Sequence, residues 1–312
     1  MENIIAPVER KKILSELTDD KFLCNSNHGG NRIYVCDAHN SPNIMREIGR
    51  LRELAFRTAG GGTGKAVDID EADLWDYPYK QLLVWNDECQ EIIGGYRFID
   101  CSGPIEFNEK GQPELSSAEI FEFSDTFKQQ YLPHMIELGR SFVQPRFQSR
   151  EYFNIAIYAL DNLWDGLGAL YRQNADHIDY FFGKVTMYTT FNTDARDHIL
   201  AFLDTYFKDK ENLVKPCGTI IEVKDSARNE FSGTDFKQDY KKLNKHVRNH
   251  GENIPPLVNA YMNLSNTMKV FGTAVNPFFG GVEETGILIR INDIFPDKRK
   301  RYLESNAEST TK

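Results

Sequence analysis

The chain has 312 residues, 40% of them hydrophobic and 27% charged, with a formal net charge of −9. That length supports a sizeable core in one large domain or two small ones. The acidic balance argues against a general nucleic-acid binder, which needs a basic face to displace phosphate counterions. No run of 18 apolar residues occurs, so no transmembrane helix is expected. The start, MENIIAPVERKK, lacks the apolar stretch of a signal peptide. The cysteines Cys24, Cys36, Cys89, Cys101 and Cys217 are scattered and form no C-x-x-C pair, so neither a disulfide framework nor a metal site is suggested. These features together favour the reducing cytoplasm.

Helix and strand signals alternate along the chain. Pro7 suits the first turn of a short helix reaching about Leu17, and Arg32–Cys36 (RIYVC) reads as a strand. Ser41 is a good N-cap with Pro42 at the first helical position, and Ile44, Ile48, Leu51 and Ala55 then share one helical face. A loop follows from about Thr58 to Tyr79, glycine-rich first and acidic later. Its GGGTGKA segment glances at a phosphate loop. However, Ala59 and Ala66 stand where that motif needs Gly and Ser or Thr, and a helix precedes it, so it reads as a flexible loop.

Gln81–Trp85 and Glu91–Ile99 read as a hairpin about Asn86-Asp87-Glu88, and residues 101–133 as irregular or partly helical. Met135–Val143 is a strand, 150–172 a long helix, Tyr180–Tyr188 a strand and 194–207 a helix. Gly218–Val223 is a further candidate strand, 235–249 an amphipathic helix, Pro255–Leu264 a shorter helix and Gly286–Asn292 a final strand. The order implies an α/β fold, a mixed sheet covered by helices, with 135–143 and 179–188 as parallel neighbours.

Four places carry chemistry: the helix end Leu51-Arg52-Glu53-Leu54-Ala55-Phe56, the acidic run Asp73-Leu74-Trp75-Asp76, the strand Gly94-Gly95-Tyr96-Arg97, and the strand Glu137-Leu138-Gly139-Arg140-Ser141. Their order and spacing resemble the acyl-homoserine-lactone synthases. They resemble more closely the ornithine-lipid-type, or hemolysin-like, N-acyltransferases, which share E-L-G-R-S and a later segment like Ile254-Pro255-Pro256-Leu257-Val258-Asn259-Ala260-Tyr261. Within that group the chain looks most like the bacterial glycine N-acyltransferases. No G-x-S-x-G elbow is present, and no His has an Asp five residues on, which removes the α/β-hydrolases and the glycerolipid acyltransferases.

The resemblance implies a GNAT-like acyltransferase domain over 1–300, with 1–30 and 210–300 as family-specific additions and 301–312 as a disordered tail. In that fold the pantetheine arm of the donor threads between two splayed central strands, here 135–143 and 179–188. The co-substrate implied is an acyl-phosphopantetheine thioester, on acyl-carrier protein or coenzyme A, with no permanently bound cofactor. The segment after Val143, Gln144-Pro145-Arg146-Phe147-Gln148-Ser149-Arg150, lacks the glycines that hold a pyrophosphate in most GNAT proteins, which favours carrier protein.

Amide formation needs a proton acceptor, and the resemblance places Glu137 in that role. The alternative is an ion pair of Glu137 with Arg97 or Arg140 that only shapes the site. Arg52, Arg97 and Arg140 are expected to cluster with Asp73, Asp76 and Glu137, either to fork a substrate carboxylate or to fix the long loop to the sheet. A backbone amide between Gly139 and Ser141 would face the oxyanion. Phe56, Trp75, Phe98 and Phe142 are expected to be core or acyl-pocket wall, and Val143, at the end of the ELGRS strand, to line the substrate site.

On the 235–249 helix, Phe236, Tyr240, Leu243 and Val247 form an apolar stripe opposite Lys237, Lys241, Lys245 and Arg248. That basic face, with Arg146 and Arg150, suits an acidic carrier protein or peripheral contact with an anionic membrane; the alternative is a solvated face. The leading reading is transfer of a long-chain, sometimes 3-hydroxylated, acyl group to glycine. The rivals are ornithine as acceptor, an acyl-homoserine-lactone-like synthase, and a non-catalytic acyl-binding module.

Overall fold

The computed structural model describes residues 1–304, apart from the side chains of residues 150, 153, 154, 156 and 157. The strands in chain order are β1 (Phe22–Asn25), β2 (Arg32–Cys36), β3 (Lys80–Asn86), β4 (Glu91–Asp100), β5 (Phe121–Phe123), β6 (Met135–Val143), β7 (Tyr180–Met187), β8 (Val214–Pro216), β9 (Lys269–Asn276) and β10 (Val282–Arg290). The helices are α1 (Arg10–Glu16), α2 (Pro42–Ala59), α3 (Asp125–Gln130), α4 (Phe153–Gln173), α5 (Thr193–Phe207), α6 (Asp225–Arg228), α7 (Phe236–Asn249), α8 (Pro256–Met262) and α9 (Pro296–Arg299). The chain divides into two compact units, each built from separated stretches of sequence. The first comprises Met1–Ile105, Ile136–Ile178 and Pro296–Lys312; the second comprises Glu106–Met135 and Asp179–Phe295.

In the first unit the strands run β1-β2-β3-β4-β6, each antiparallel to its neighbour. Helices cover both faces, which is why β3 and β4 read as near-continuous apolar runs instead of alternating. Helix α4 lies on the face of Ile33 and Leu82, and it comes so close that a Cβ on its Gly166 would stand 2.6 Å from Leu82 and 3.1 Å from Ile33. Helix α2 lies on the opposite face, where Gln81 of β3 meets its Arg52. Ser41 holds the N-cap position of α2 with Pro42 first in the helix, as the sequence suggests, but its side chain caps no helix amide. The carboxylate of Glu16 from α1 accepts instead from the Asn43 and Ile44 amides at 3.1 and 2.8 Å, placing an anion at the positive end of the helix. Of the expected tail over 301–312, residues 301–304 belong to the helical turn Lys300–Glu304, with Tyr302 and Leu303 buried, and 305–312 lie outside the described residues.

In the second unit β7-β10-β9 form an antiparallel ladder, and β5 pairs with β8. Helices α5 and α7 run antiparallel, with Phe202 and Tyr206 against Phe236 and with His198 stacked on His246 at 3.4 Å. Strand β9 is absent from the sequence reading, because Gly272, with φ +85°, breaks its alternation. The strand expected at 218–223 reduces to a bridge between Ile220 and Ala274, with the regular strand β8 earlier, at Val214–Pro216.

Candidate active site

The site lies in the first unit, on the face of the sheet covered by α2. Cross-strand register sets Gln81 opposite Arg97, Arg97 opposite Gly139 and Ile99 opposite Glu137, so Gln81, Arg97, Gly139 and Glu137 share that face. From above, α2 inserts Arg52, which is fully buried. Its Nη1 lies 3.3 Å from Asp73 Oδ2 and 3.4 Å from the Asp68 carbonyl, and its Nη2 donates to Gln81 Oε1. Arg97, 1% exposed, donates from Nη1 to both Asp70 oxygens at 2.7 and 2.6 Å and sits over the Tyr79 ring at 4.7 Å. Asp73 lies 3.4 Å from Arg97, between it and Arg52.

Arg140 completes the cluster from β6. Its Nε faces the two Asp68 oxygens at 3.0 and 3.3 Å, and its Nη2 lies 3.6 Å from Asp70. Its φ is +49°, a left-handed conformation that non-glycine residues rarely adopt. The β4–β6 register steps between Gly95 and Arg97, so Arg140 and Ser141 together oppose Tyr96, which defines a bulge. A bulge takes one residue out of the ladder and re-aims its side chain, and bulges concentrate beside active sites.

Three arginines from three elements therefore alternate with three aspartates from one loop. Burial lowers the Arg52 guanidinium below its ordinary pKa, and Asp73 and Asp68 oppose that shift. For Arg97, burial acts the same way but Asp73 and Asp70 outweigh it, leaving the group raised. Burial would raise Asp70, yet Arg97, Arg140 and Arg52 hold it well below the usual carboxylate range. A buried network with that much mutual compensation anchors the long loop onto the sheet. That is the scaffolding alternative for Arg52 and Arg97.

Glu137 is 2% exposed and accepts from the Tyr79 hydroxyl. Beside it, a Cβ on Gly139 would meet nothing within 4 Å, so this face of β6 opens onto free space between Glu137 and the bulge. Asp76, expected in the cluster, is exposed and lies outside it. Trp75 is half-buried, its carbonyl 2.8 Å from His39 Nε2 and its ring 6.0 Å from Tyr79. Phe56 and Phe142 are buried, Ser141 and Val143 half-buried.

Asp68, Asp70, Tyr79 and Gln81 were missed in the sequence. The signal for the first two was the acidic alternation Val67-Asp68-Ile69-Asp70, and for the loop's path a glycine inside a helix. A Cβ on Gly49 of α2 would lie 2.5 Å from Val67 and 3.1 Å from the Asp68 carbonyl.

Of the docking residues, Lys237, Lys241, Lys245 and Arg248 are exposed on α7 and make no ion pair among the described residues, while the nearby Lys242 pairs with Asp239 at 3.1 Å. Arg146 is already engaged, 2.6 Å from Glu91 and stacked over Tyr152 at 4.7 Å. The side chain of Arg150 lies outside the described residues. Among the described residues no helix is long and apolar enough to cross a membrane.

Residues 51–157, which include β3, β4 and the bulged β6, match the acetyltransferase (GNAT) domain family. Two curated relatives cover nearly the whole chain. A protein of Phocaeicola vulgatus named glycine N(alpha)-acyltransferase is 53% identical over 98% of this chain and 94% of its own length. Its namesake in Bacteroides thetaiotaomicron is 52% identical over 99% of this chain and 92% of its own length. The chain belongs to this glycine N(alpha)-acyltransferase family. Among solved structures, FeeM, an N-acyl amino acid synthase from uncultured soil microbes, matches 88% of this chain and 95% of its own at 11% identity, but its TM-score of 0.38 is too low to place residues.

Proposed function

We propose that the protein transfers a long-chain fatty acyl group from the thioester of acyl-carrier protein to the α-amine of glycine, giving an N-acyl glycine and free carrier thiol. The near-full-length identity to two glycine N(alpha)-acyltransferases supports the acceptor. The observation that carries the chemistry is the juxtaposition on β6: a buried carboxylate at Glu137, open space over Gly139, and a bulge at Arg140–Ser141.

In this reading the glycine amine attacks the thioester carbonyl, a C–N bond forms and the C–S bond breaks. Glu137, oriented by the Tyr79 hydroxyl, accepts the amine proton, and the departing thiolate is then protonated. An amide of the bulge holds the carbonyl oxygen as it gains charge. Arg140 takes the acceptor's carboxylate. Its side chain is 13% exposed against 0% and 1% for Arg52 and Arg97, which makes it the guanidinium a substrate can reach.

Carrier protein docks on the basic face of α7, whose Lys237, Lys241, Lys245 and Arg248 attract an acidic partner. The test is a comparison of matched acyl-carrier protein and acyl-coenzyme A in a thiol-release assay with glycine. Carrier protein should give the higher kcat/KM, and equal or better use of coenzyme A would remove the docking assignment.

A further inference from the structure

The glycine-rich segment that resembles a phosphate loop already holds an anion, and the anion is part of the chain. Glu53, on α2 and wholly buried, accepts from the Thr63 amide at 3.0 Å, the Thr63 hydroxyl at 2.8 Å, the Gly64 amide at 2.7 Å and Arg57 Nε at 2.6 Å. Consecutive amides turned onto one anion form the kind of nest that elsewhere cradles phosphate. Burial works against the charged carboxylate, but Arg57, Thr63 and Gly64 outweigh it and hold Glu53 below its ordinary range.

The extreme N-terminus closes the loop from the other side. The Glu2 amide donates to the Gly64 carbonyl at 2.8 Å, the Ala66 amide donates to the Glu2 carboxylate at 2.8 Å, and Arg57 Nη1 donates to the Glu2 carbonyl at 2.6 Å. Far from being flexible, the segment is fastened at every turn. Two residues beyond Ala66 the same strand of chain delivers Asp68 to Arg140, and two further on it delivers Asp70 to Arg97.

We propose that Glu53 is a positioning residue. Its carboxylate, seated in the glycine-rich nest, fixes the path of residues 63–70, and so sets Asp68 against Arg140 and the orientation of Arg140 toward the acceptor's carboxylate. The proposal rests on the assignment of Arg140 to the acceptor made above. Nothing reacts at Glu53. It acts as a built-in anion where related loop geometry binds an external one.

The experiment uses Glu53→Ala in the full chain. The substitution removes a methylene and a carboxylate, the equivalent of acetate, while leaving the amides and the Thr63 hydroxyl that received them. We expect the KM for glycine to rise about tenfold or more, since ångström-scale misplacement of a substrate-positioning group has effects of that size. Added acetate should bring KM back toward wild type, and acetamide, equal in shape but uncharged, should not. Wild type in the same acetate controls for competition at Arg140.

Amide hydrogen exchange over residues 60–73 should quicken in the variant and slow again with acetate. If Glu53→Ala does not fold, Glu53→Gln keeps the shape without the charge. It should raise KM in the same direction with no response to acetate. Unchanged KM in either folded variant, or acetate that restores exchange protection without restoring KM, would overturn the proposal. Should wild type fail to acylate glycine, the functional reading falls, and the exchange measurements still report on the nest.

Discussion

Replacing Gly49 by alanine tests how tightly the acidic loop is held over the sheet. The new methyl would stand 2.5 Å from Val67 Cγ1, 2.9 Å from Ile69 Cγ1 and 3.1 Å from the Asp68 carbonyl. Ordinary carbon contacts lie at about 3.5–4.0 Å, so the loop must retreat by roughly 1 Å. The Asp68–Arg140 bonds are now 3.0 and 3.3 Å long, and a retreat of that size carries them beyond useful hydrogen-bond range. An ångström of misplacement near the chemistry costs on the order of 100-fold in rate. Stability should respond less, by at most about 2 kcal/mol. Alanine gains about 1 kcal/mol over glycine in a helix interior, against about 1–3 kcal/mol for overpacking. The assay is steady-state thiol release at varied glycine, with a melting curve alongside. A folded variant whose kcat/KM stays within about twofold of wild type would show that the Asp68–Arg140 contact does not govern turnover.

Other expectations follow from the same geometry. Glu137→Gln keeps an acceptor for the Tyr79 hydroxyl but removes the proposed base, so kcat should fall by about 10²- to 10⁴-fold with little change in melting temperature, and the deficit should shrink as pH rises. A lowered melting temperature with kcat intact would instead mark Glu137 as a structural acid. Asp73→Asn strips charge from a fully buried group between Arg52 and Arg97 and should cost about 3–5 kcal/mol by denaturant titration, whereas Asp76→Asn, at an exposed position outside the cluster, should change neither stability nor kcat/KM. Lys241→Glu with Lys245→Glu should raise the KM for acyl-carrier protein and blunt its salt dependence, surface attraction being screened within about 8 Å at physiological ionic strength. Burial, with repulsion from His198 and His250, holds His246 below its ordinary pKa. The unfolded chain therefore takes up that proton more readily, so stability is present above the unfolded value and is lost as pH falls below it. The melting temperature should drop between about pH 7 and pH 5.5, and His246→Leu should flatten that drop.

Where periodicity is strong, sequence and structure agree. The Ile44-Ile48-Leu51-Ala55 stripe is α2, and the Phe236-Tyr240-Leu243-Val247 stripe packs α7 onto α5 with its lysines outward. Agreement fails where a glycine or a short length hides the pattern, as in β9 with Gly272 and in the four residues of β1. Arg52, Arg97 and Arg140 were legible as a cluster, because each sits in a quotable motif on a predicted element. Their partners were harder to see. Asp68 and Asp70 come from a loop whose path depends on Gly49 and Glu53, one helical turn apart on α2, and loop paths set by tertiary contacts leave little local signal. The same holds for Tyr79, whose link to Glu137 joins residues 58 positions apart.

The most direct test of the central claim is product analysis. Purified protein would be incubated with a long-chain acyl thioester and glycine, with free thiol and the mass of the lipid product followed together. The expected result is one N-acyl glycine for each thiol released, with release dependent on glycine. Thiol release that ignores glycine, or an amide formed on another amino acid in preference to it, would contradict the assignment.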